Sequence, residues 1–457
     1  MPDHTPRSPE VSPPQAAKPT GIRWLIFNLS CSTSFLLYLH RYTWMYVRPA
    51  LQDEYGFSNT ELGTIESMFF WPYAFGQIPS GVICDMFGAH LFLTGSILLW
   101  SVMLAAITVT SSFYLLCGIR VVFGIGQAGT YPSLAKVSRI WFPSRTRTSL
   151  QGWIASFGGR TGGALSPILL AGLLMGVCGL SWRVAILIFS AIGIVFGLAF
   201  WKFFRSTPAD DARVNDAERH LISDGKVAAQ AAGRGAMLPM SKVVKNANLL
   251  VFIVQQFMNA GADVIFVSLL VSYFKDQLGI DMKASLLAVS LYVSLPLFGG
   301  ALGGMFGGYL NDWMIQRTGS RRWSRSGIGF SGKCVACIFM FLAVQQTQAA
   351  YVAGLLFIVK FFTDWTQPTV WGTCTDIGGR FSGTVVGIIN MAGNIGAATM
   401  PLVFGIILDR YTVDGATDYT PVMNIGAAMF LISGACWFFI DCTKTLDDDA
   451  SVTSNAT

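Results

Sequence analysis

Charge is scarce in this chain. Asp, Glu, Lys and Arg make up 12% of its 457 residues, 53% are hydrophobic and the mean hydropathy is +0.52. Soluble domains carry about 25% charged residues, so a water-soluble globular protein of this length is excluded. Histidine is scarcer still, with four in the chain. No two stand at metal-ligand spacing beside acidic partners and no nucleophile–base pair is evident, so no metal, no cofactor and no enzyme are expected. A glycine loop ending in Gly-Lys-Ser/Thr is missing, which argues against ATP-driven chemistry. A cleavable leader is missing too. Residues 1–20 hold six prolines and few large apolar side chains, so a disordered tail is expected before an uncleaved first helix. The nine cysteines lie nearly all in or beside apolar runs. Cys334-x-x-Cys337 lacks the second pair of a metal or redox motif, and these residues read as small apolar helix positions.

Long apolar runs are what the chain does have. Spans of about 20 residues cross a bilayer as helices, whereas barrel strands are about ten residues of alternating character. Twelve runs qualify: 24–47, 62–83, 91–110, 113–134, 149–173, 182–203, 248–274, 283–307, 327–346, 350–373, 383–408 and 422–441. The expectation is an all-α membrane protein of twelve transmembrane helices in two six-helix halves. Its expected parts are a tail at 1–21, halves at 22–204 and 247–443, a linker at 205–246 and a tail at 444–457. With the N-terminus placed inside, the inner segments hold 21 Lys and Arg, the outer segments 5 and the spans another 5. That bias predicts both termini in the cytoplasm of a multi-pass cell-membrane protein. It also explains the net charge of +6 without a nucleic-acid partner. A monomer in the lipid bilayer is expected.

The halves repeat. Gly81-Val-Ile-Cys-Asp85-Met-Phe-Gly88 follows span two, and Gly308-Tyr-Leu-Asn-Asp312 follows span eight. Span five carries Phe157-Gly-Gly-Arg160-Thr-Gly-Gly-Ala-Leu-Ser-Pro167, and span eleven carries Met391-Ala-Gly-Asn394-Ile-Gly-Ala-Ala-Thr-Met-Pro401. Small residues at this density let helices approach closely. Six-helix halves related in parallel place a substrate site at the midplane between them.

With these features the sequence resembles the major facilitator superfamily, whose signature loops the Gly-x-x-x-Asp turns match. Its anion:cation symporter branch is resembled at Tyr38-Leu-His40-Arg41, Gln77-Ile-Pro79-Ser-Gly81, Gly118-Ile-Arg120, Trp141-Phe-Pro143 and Arg213-Val-Asn-Asp-Ala-Glu218-Arg219. That branch includes bacterial hexuronate and galactonate symporters and animal sialic acid and vesicular glutamate carriers. The resemblance implies secondary transport of a small organic anion by alternating access. It places Arg41 and Arg120 at the substrate carboxylate, with Tyr38, Tyr73, Trp371 and Asn390 lining the cavity. The turns at Gly81, Asp85, Gly88, Gly308 and Asp312 would act as conformational gates. Three departures stand out, one of them Gly158, which occupies the position of the family's cavity glutamine in span five. His40 and Gln127 occupy the positions of the family's proton-carrying carboxylates, which leaves the coupling ion, H+ or Na+, open.

The ionisable groups inside the spans are few. They are Arg41, Arg120, Arg160, Lys333 and Lys360 against Glu66, Asp263 and Asp364, with His40 able to titrate. Lys360 and Asp364 stand at helical contact spacing, and Lys333 reads as snorkelling from a helix end. Setting these aside leaves three arginines against Glu66 and Asp263, an excess of one cation that a bound carboxylate would balance. Arginine suits that task because its planar fork takes a carboxylate with two bonds. Arg41 and Arg120 can instead tether helices through Glu66 or Asp263. His40, Glu66, Asp263 and Gln127 are the candidate coupling positions. The alternatives are an organophosphate:phosphate exchanger and a non-transporting sensor on the same fold.

Overall fold

A computed structural model describes residues 18–143, 146, 150–223, 243, 245–281 and 285–446. Most of the expected tails (1–17 of 1–21 and 447–457 of 444–457) and the middle of the linker lie outside these residues. Among the described residues, ten helices are long and apolar enough to span a bilayer. They are α1 Ile22–Tyr55, α2 Asn59–Val109, α3 Phe113–Trp141, α4 Leu150–Val177, α5 Trp182–Phe203, α7 Ala247–Gln277, α8 Leu286–Thr318, α9 Arg321–Val344, α10 Ala349–Gly378 and α11 Ser382–Arg410. Between them, α6 Asp216–Ser223 is a short linker helix, and α12 Thr420–Cys436 is a shorter apolar helix at the end.

Helix α2 runs for 51 residues, more than twice the about 20 residues that cross a bilayer. It begins in a capping box, in which the Ser58 hydroxyl accepts from the Glu61 amide and the Glu61 carboxylate from the Ser58 amide. It bends at Gly88, whose φ of 79° is open to a residue without Cβ. The first expected span is longer than its hydropathy suggests. The helix continues through a turn at Tyr42–Thr43 and on to Tyr55, which carries Arg48 into the interior although the sequence places it in an outer loop. Wide π-type turns interrupt α4 on both sides of Arg160 and α7 just after Asp263, a deviation common at functional sites.

The helix contacts recur at a fixed offset. Helix α2 packs on α3 and α5, and α1 packs on α4. In the same manner α8 packs on α10, α9 on α12, and α7 on α11. The larger contacts that cross between these groups are α2 with α11 and α4 with α8, and the second arm of α1 also meets α7. At one end of the α2–α11 seam the backbones nearly touch. A Cβ on Gly63 would strike the Pro401 carbonyl, and one on Gly405 the Asn59 carbonyl. Large apolar side chains such as Ile78, Met86, Val109, Val195 and Tyr309 face outward, as lipid-facing surfaces require.

The linker is tied back to α1. Glu218, fully buried, accepts hydrogen bonds from the Ile22 and Arg23 amides at 3.1 and 3.0 Å and from the Thr20 hydroxyl. A carboxylate at a helix N-terminus satisfies free amides and complements the helix dipole. Nearby, hydrogen bonds from Arg213 hold the Asp211 carboxyl below the usual range.

Candidate functional site

Arg41 closes the first arm of α1, where hydrophobic spacing turns one face of the helix inward. Its guanidinium carbon stands 4.5 Å from the Tyr73 ring centre, 5.0 Å from Phe69 and 5.2 Å from Tyr38. Its Nε donates to Gln127 Oε1 at 3.1 Å, and the Gln127 amide donates to the Leu37 carbonyl at 3.3 Å. Gln127 thus binds both the cation and the helix that carries it. Arg41 Nη2 is buried without a hydrogen-bond partner. His40 points the other way: its Nε2 lies 3.0 Å from the Phe189 carbonyl of α5.

The Arg41 face opens onto a cavity of about 930 Å³. Tyr38, Tyr73, Gln77, Trp371 and Asn390 line it with Arg41, and so do Asp263, Lys360, Asp364 and Arg160. Trp371 is 38% exposed, and Asn390 donates to Gln77 across the cavity at 3.0 Å. The lining extends to Ser138, Gln151 and Gly383, near the helix ends at Phe142 and Phe381, so the mouth lies on that face.

Opposite Arg41 is a cluster of four charges drawn from three helices. Asp364 accepts from Arg160 and from Lys360 at 3.1 Å, and Lys360 also binds Asp263. Arg160 donates further to the Gly300 carbonyl at 3.2 Å. The four-residue spacing of Lys360 and Asp364 does make a contact, but each residue also has a partner on another helix. Asp263 therefore belongs to this cluster rather than to a set shared with Arg41 or Arg120. Lys333 corrects the snorkelling expectation. It is 0% exposed and donates to Asn259 and to the Thr363 carbonyl at 3.1 Å, just behind the cluster. Asn259 lies one turn from Asp263, and the polar partner keeps the ammonium inside.

At the other end of the molecule the cavity is shut. Asp53 pairs with Lys275, Ser268 donates to Glu66, and both oxygens of Asp409 accept the Asn59 and Thr60 amides at 2.8 Å. Arg120 lies on this side, outside the cavity lining. Its guanidinium carbon is 4.8 Å from the Phe69 ring and 4.5 Å from Trp44. Glu66 faces it electrostatically together with Arg48. Of the turns expected to act as gates, Asp85 pairs with Lys136 of α3 at 2.7 Å. At the corresponding place in the repeat, Asn311 binds Asp312 at 3.1 Å and Thr369 of α10 at 3.4 Å. Gly308 faces Pro368 of α10.

Sequence reasoning missed Arg48, the burial of Lys333, and Tyr131, whose hydroxyl is 2.8 Å from Ser34 Oγ at the cavity wall. Hydropathy carried no signal for these, because each sits beside ordinary polar or apolar neighbours. Among the described residues no group of His, Cys, Asp and Glu is placed to hold a metal ion.

The sequence profile of the Major Facilitator Superfamily matches residues 30–401. A probable sulfoacetate transporter of Cupriavidus necator is 29% identical over 93% of this chain and 95% of its own length. A D-galactonate transporter of Escherichia coli is 25% identical over 92% of this chain and 97% of its own. Among solved structures, a bacterial homolog of the human lysosomal transporter Spinster superposes with a TM-score of 0.70. It has 17% identity and covers 93% of this chain and 95% of that one.

Proposed function

The chain belongs to the Major Facilitator Superfamily, and from that premise we propose that Arg41 holds the acidic group of a small organic anion carried across the membrane by alternating access. The protein is a multi-pass membrane transporter and not an enzyme. The observation that carries the proposal is the state of the cavity's cations. Arg160 and Lys360 are both paired with carboxylates, whereas Arg41 has no carboxylate partner among the described residues and meets the Gln127 amide and the tyrosines and phenylalanine around it. An arginine inside a membrane protein is costly. A carboxylate or sulfonate arriving through the mouth would offset that cost with charge-assisted hydrogen bonds. Tyr38, Tyr73, Trp371 and Asn390 would orient the rest of the molecule. Relatives named for sulfoacetate and D-galactonate support an organic acid as cargo.

In this reading α2 supplies two spans on either side of Gly88 and α12 a last one, giving twelve in two halves. The Lys and Arg bias puts the cavity mouth and both termini on the cytoplasmic side. The coupling ion enters through carboxylates: Asp263 and Asp364 in the cavity, or Glu66 at the closed seam. His40, turned toward α5, takes no part.

The test is uptake into proteoliposomes of hexuronates, aldonates, sulfoacetate and phosphate esters. Arg41→Gln is expected to reduce uptake of the accepted anion by a factor of about 30 or more, since hydrogen bonds to a charged group contribute about 1.5–3 kcal/mol each. Arg41→Lys keeps part of the activity. Transport of phosphate esters alone would overturn the organic-acid assignment.

A further inference from the structure

The closed end of the molecule buries guanidinium donors that its acceptors do not all meet. Arg48 is 0% exposed and Arg120 3%. Arg48 Nη2 donates to Asn59 Oδ1 at 2.9 Å, but its Nε and Nη1 have no hydrogen-bond partner among the described residues, and neither has Arg120 Nε. Glu66 is the carboxylate that faces both. Arg41 joins the same group, because its guanidinium carbon and that of Arg120 each lie within 5.0 Å of the Phe69 ring centre. Arg48 of α1 and Arg120 of α3 thus share Glu66 of α2, Asp276 of α7 also faces Arg48, and Arg41 approaches the same Phe69 ring as Arg120. Buried donors normally find acceptors, and unmet guanidinium donors are costly to keep.

The position of these donors suggests a use for them. The Arg48 arm of α1 packs on residues 265–272 of α7, and Ser268 of that stretch donates to Glu66. When this seam parts, α7 takes Ser268 away. Arg48, Arg120 and Glu66 remain together on the wall formed by α1, α2 and α3. We propose that Arg48 and Arg120 form a second anion subsite, exposed when the closed end opens, and that the transported molecule carries two acidic groups, one for Arg41 and one for this pair. The inference rests on the organic-anion reading above and narrows it to dianions: dicarboxylates, or carboxylates bearing a sulfonate. The fork of Arg48 presents two unused N–H groups, the pattern a planar carboxylate or a sulfonate face accepts.

Matched pairs of probes test it on the full-length purified protein. D-glucarate is compared with D-gluconate, and sulfoacetate with acetate, as competitors of transport in proteoliposomes and as ligands in titration. The dianion of a pair is expected to bind at least tenfold more tightly than its partner. Arg48→Gln is expected to remove that preference while changing monoanion binding less than twofold. Equal affinity for both members, or an Arg48→Gln variant that weakens both alike, would overturn the second subsite and leave the anion-carrier reading standing. Binding of no member of either pair would sink both. Should Arg48→Gln not fold, the wild-type ratio and Arg48→Lys, which keeps the charge and loses the fork, decide the matter: an absent wild-type preference overturns the proposal, and a preference that falls in Arg48→Lys supports it.

Discussion

Arg41 and Gln127 show how little separates an anion site from an ion pair. A neutral amide at 3.1 Å fixes the guanidinium without cancelling its charge. A carboxylate there would compete with the substrate whenever it is ionised. Gln127→Glu is therefore expected to make uptake pH-dependent. Transport should be weak at neutral pH, where the new carboxylate occupies Arg41, and should recover as acid protonates it. A pH series of initial rates for wild type and variant checks this; a flat profile for the variant would refute the role given to Gln127. The cluster opposite behaves differently because its charges are already matched. Asp364 serves both Arg160 and Lys360. Removing one partner of a buried ion pair costs about 3–5 kcal/mol, since the other charge is left uncompensated. Asp364→Asn should lower the melting temperature of detergent-solubilised protein by several degrees, and Arg41→Gln, which breaks no ion pair, should not.

At the scale of elements, two helices are started by residues far away in sequence. Glu218 caps α1 across 196 positions, and Asp409 caps α2 across 350. The first fastens the linker to the bundle. The second crosses the seam that must part if the closed end is to open. A helix cap is worth about 0.5–2 kcal/mol, so Asp409→Ala should move the conformational balance toward the open seam by roughly fivefold at 1 kcal/mol, from RT ln 5. Spin labels at Glu61→Cys and Arg410→Cys, with the native cysteines replaced, should then show a larger share of long distances. An unchanged distribution would mean that the cap does not hold the seam. Gly63 and Gly405 act at the same place by letting carbonyl groups of the facing helix approach.

Over the whole molecule, charge is kept at the ends of the helices and inside one narrow zone. That zone has two parts, a matched cluster in the cavity and an arginine-rich group at the closed seam. Coupling to a proton requires a carboxylate whose access changes as the seam and the mouth alternate. Asp263 and Glu66 are the candidates for that role, the first lining the cavity and the second bound by Ser268 of α7. In an imposed pH gradient, Asp263→Asn or Glu66→Gln should lose accumulation of the substrate while retaining exchange between two pools of it. Full gradient-driven accumulation by both variants would show that these carboxylates do not couple transport.

Much of this was readable in the sequence, because the bilayer imposes its own rules. Apolar runs that cross it must be helices. The repeated Gly-x-x-x-Asp turns marked where helices pair, and Arg41 and Arg120 stood out as expensive charges. Partnership did not show, because it depends on which helix faces which. Spacing along α10 linked Lys360 to Asp364, but only the packing of α4 and α7 brought Arg160 and Asp263 to them. Hydropathy placed Arg48 in a loop, because an arginine beside Pro49 looks like the end of a span. The continued helix and the α7 contact buried it. Lys333 could reach an interface by its length alone, and Asn259 drew it inward instead. The sequence by itself determined the class of protein, the helices and the stock of charges. The tertiary structure decided which charges cancel across helices and which remain unpaired, because the pairs of Arg160 with Asp364 and of Lys360 with Asp263 form between neighbouring helices.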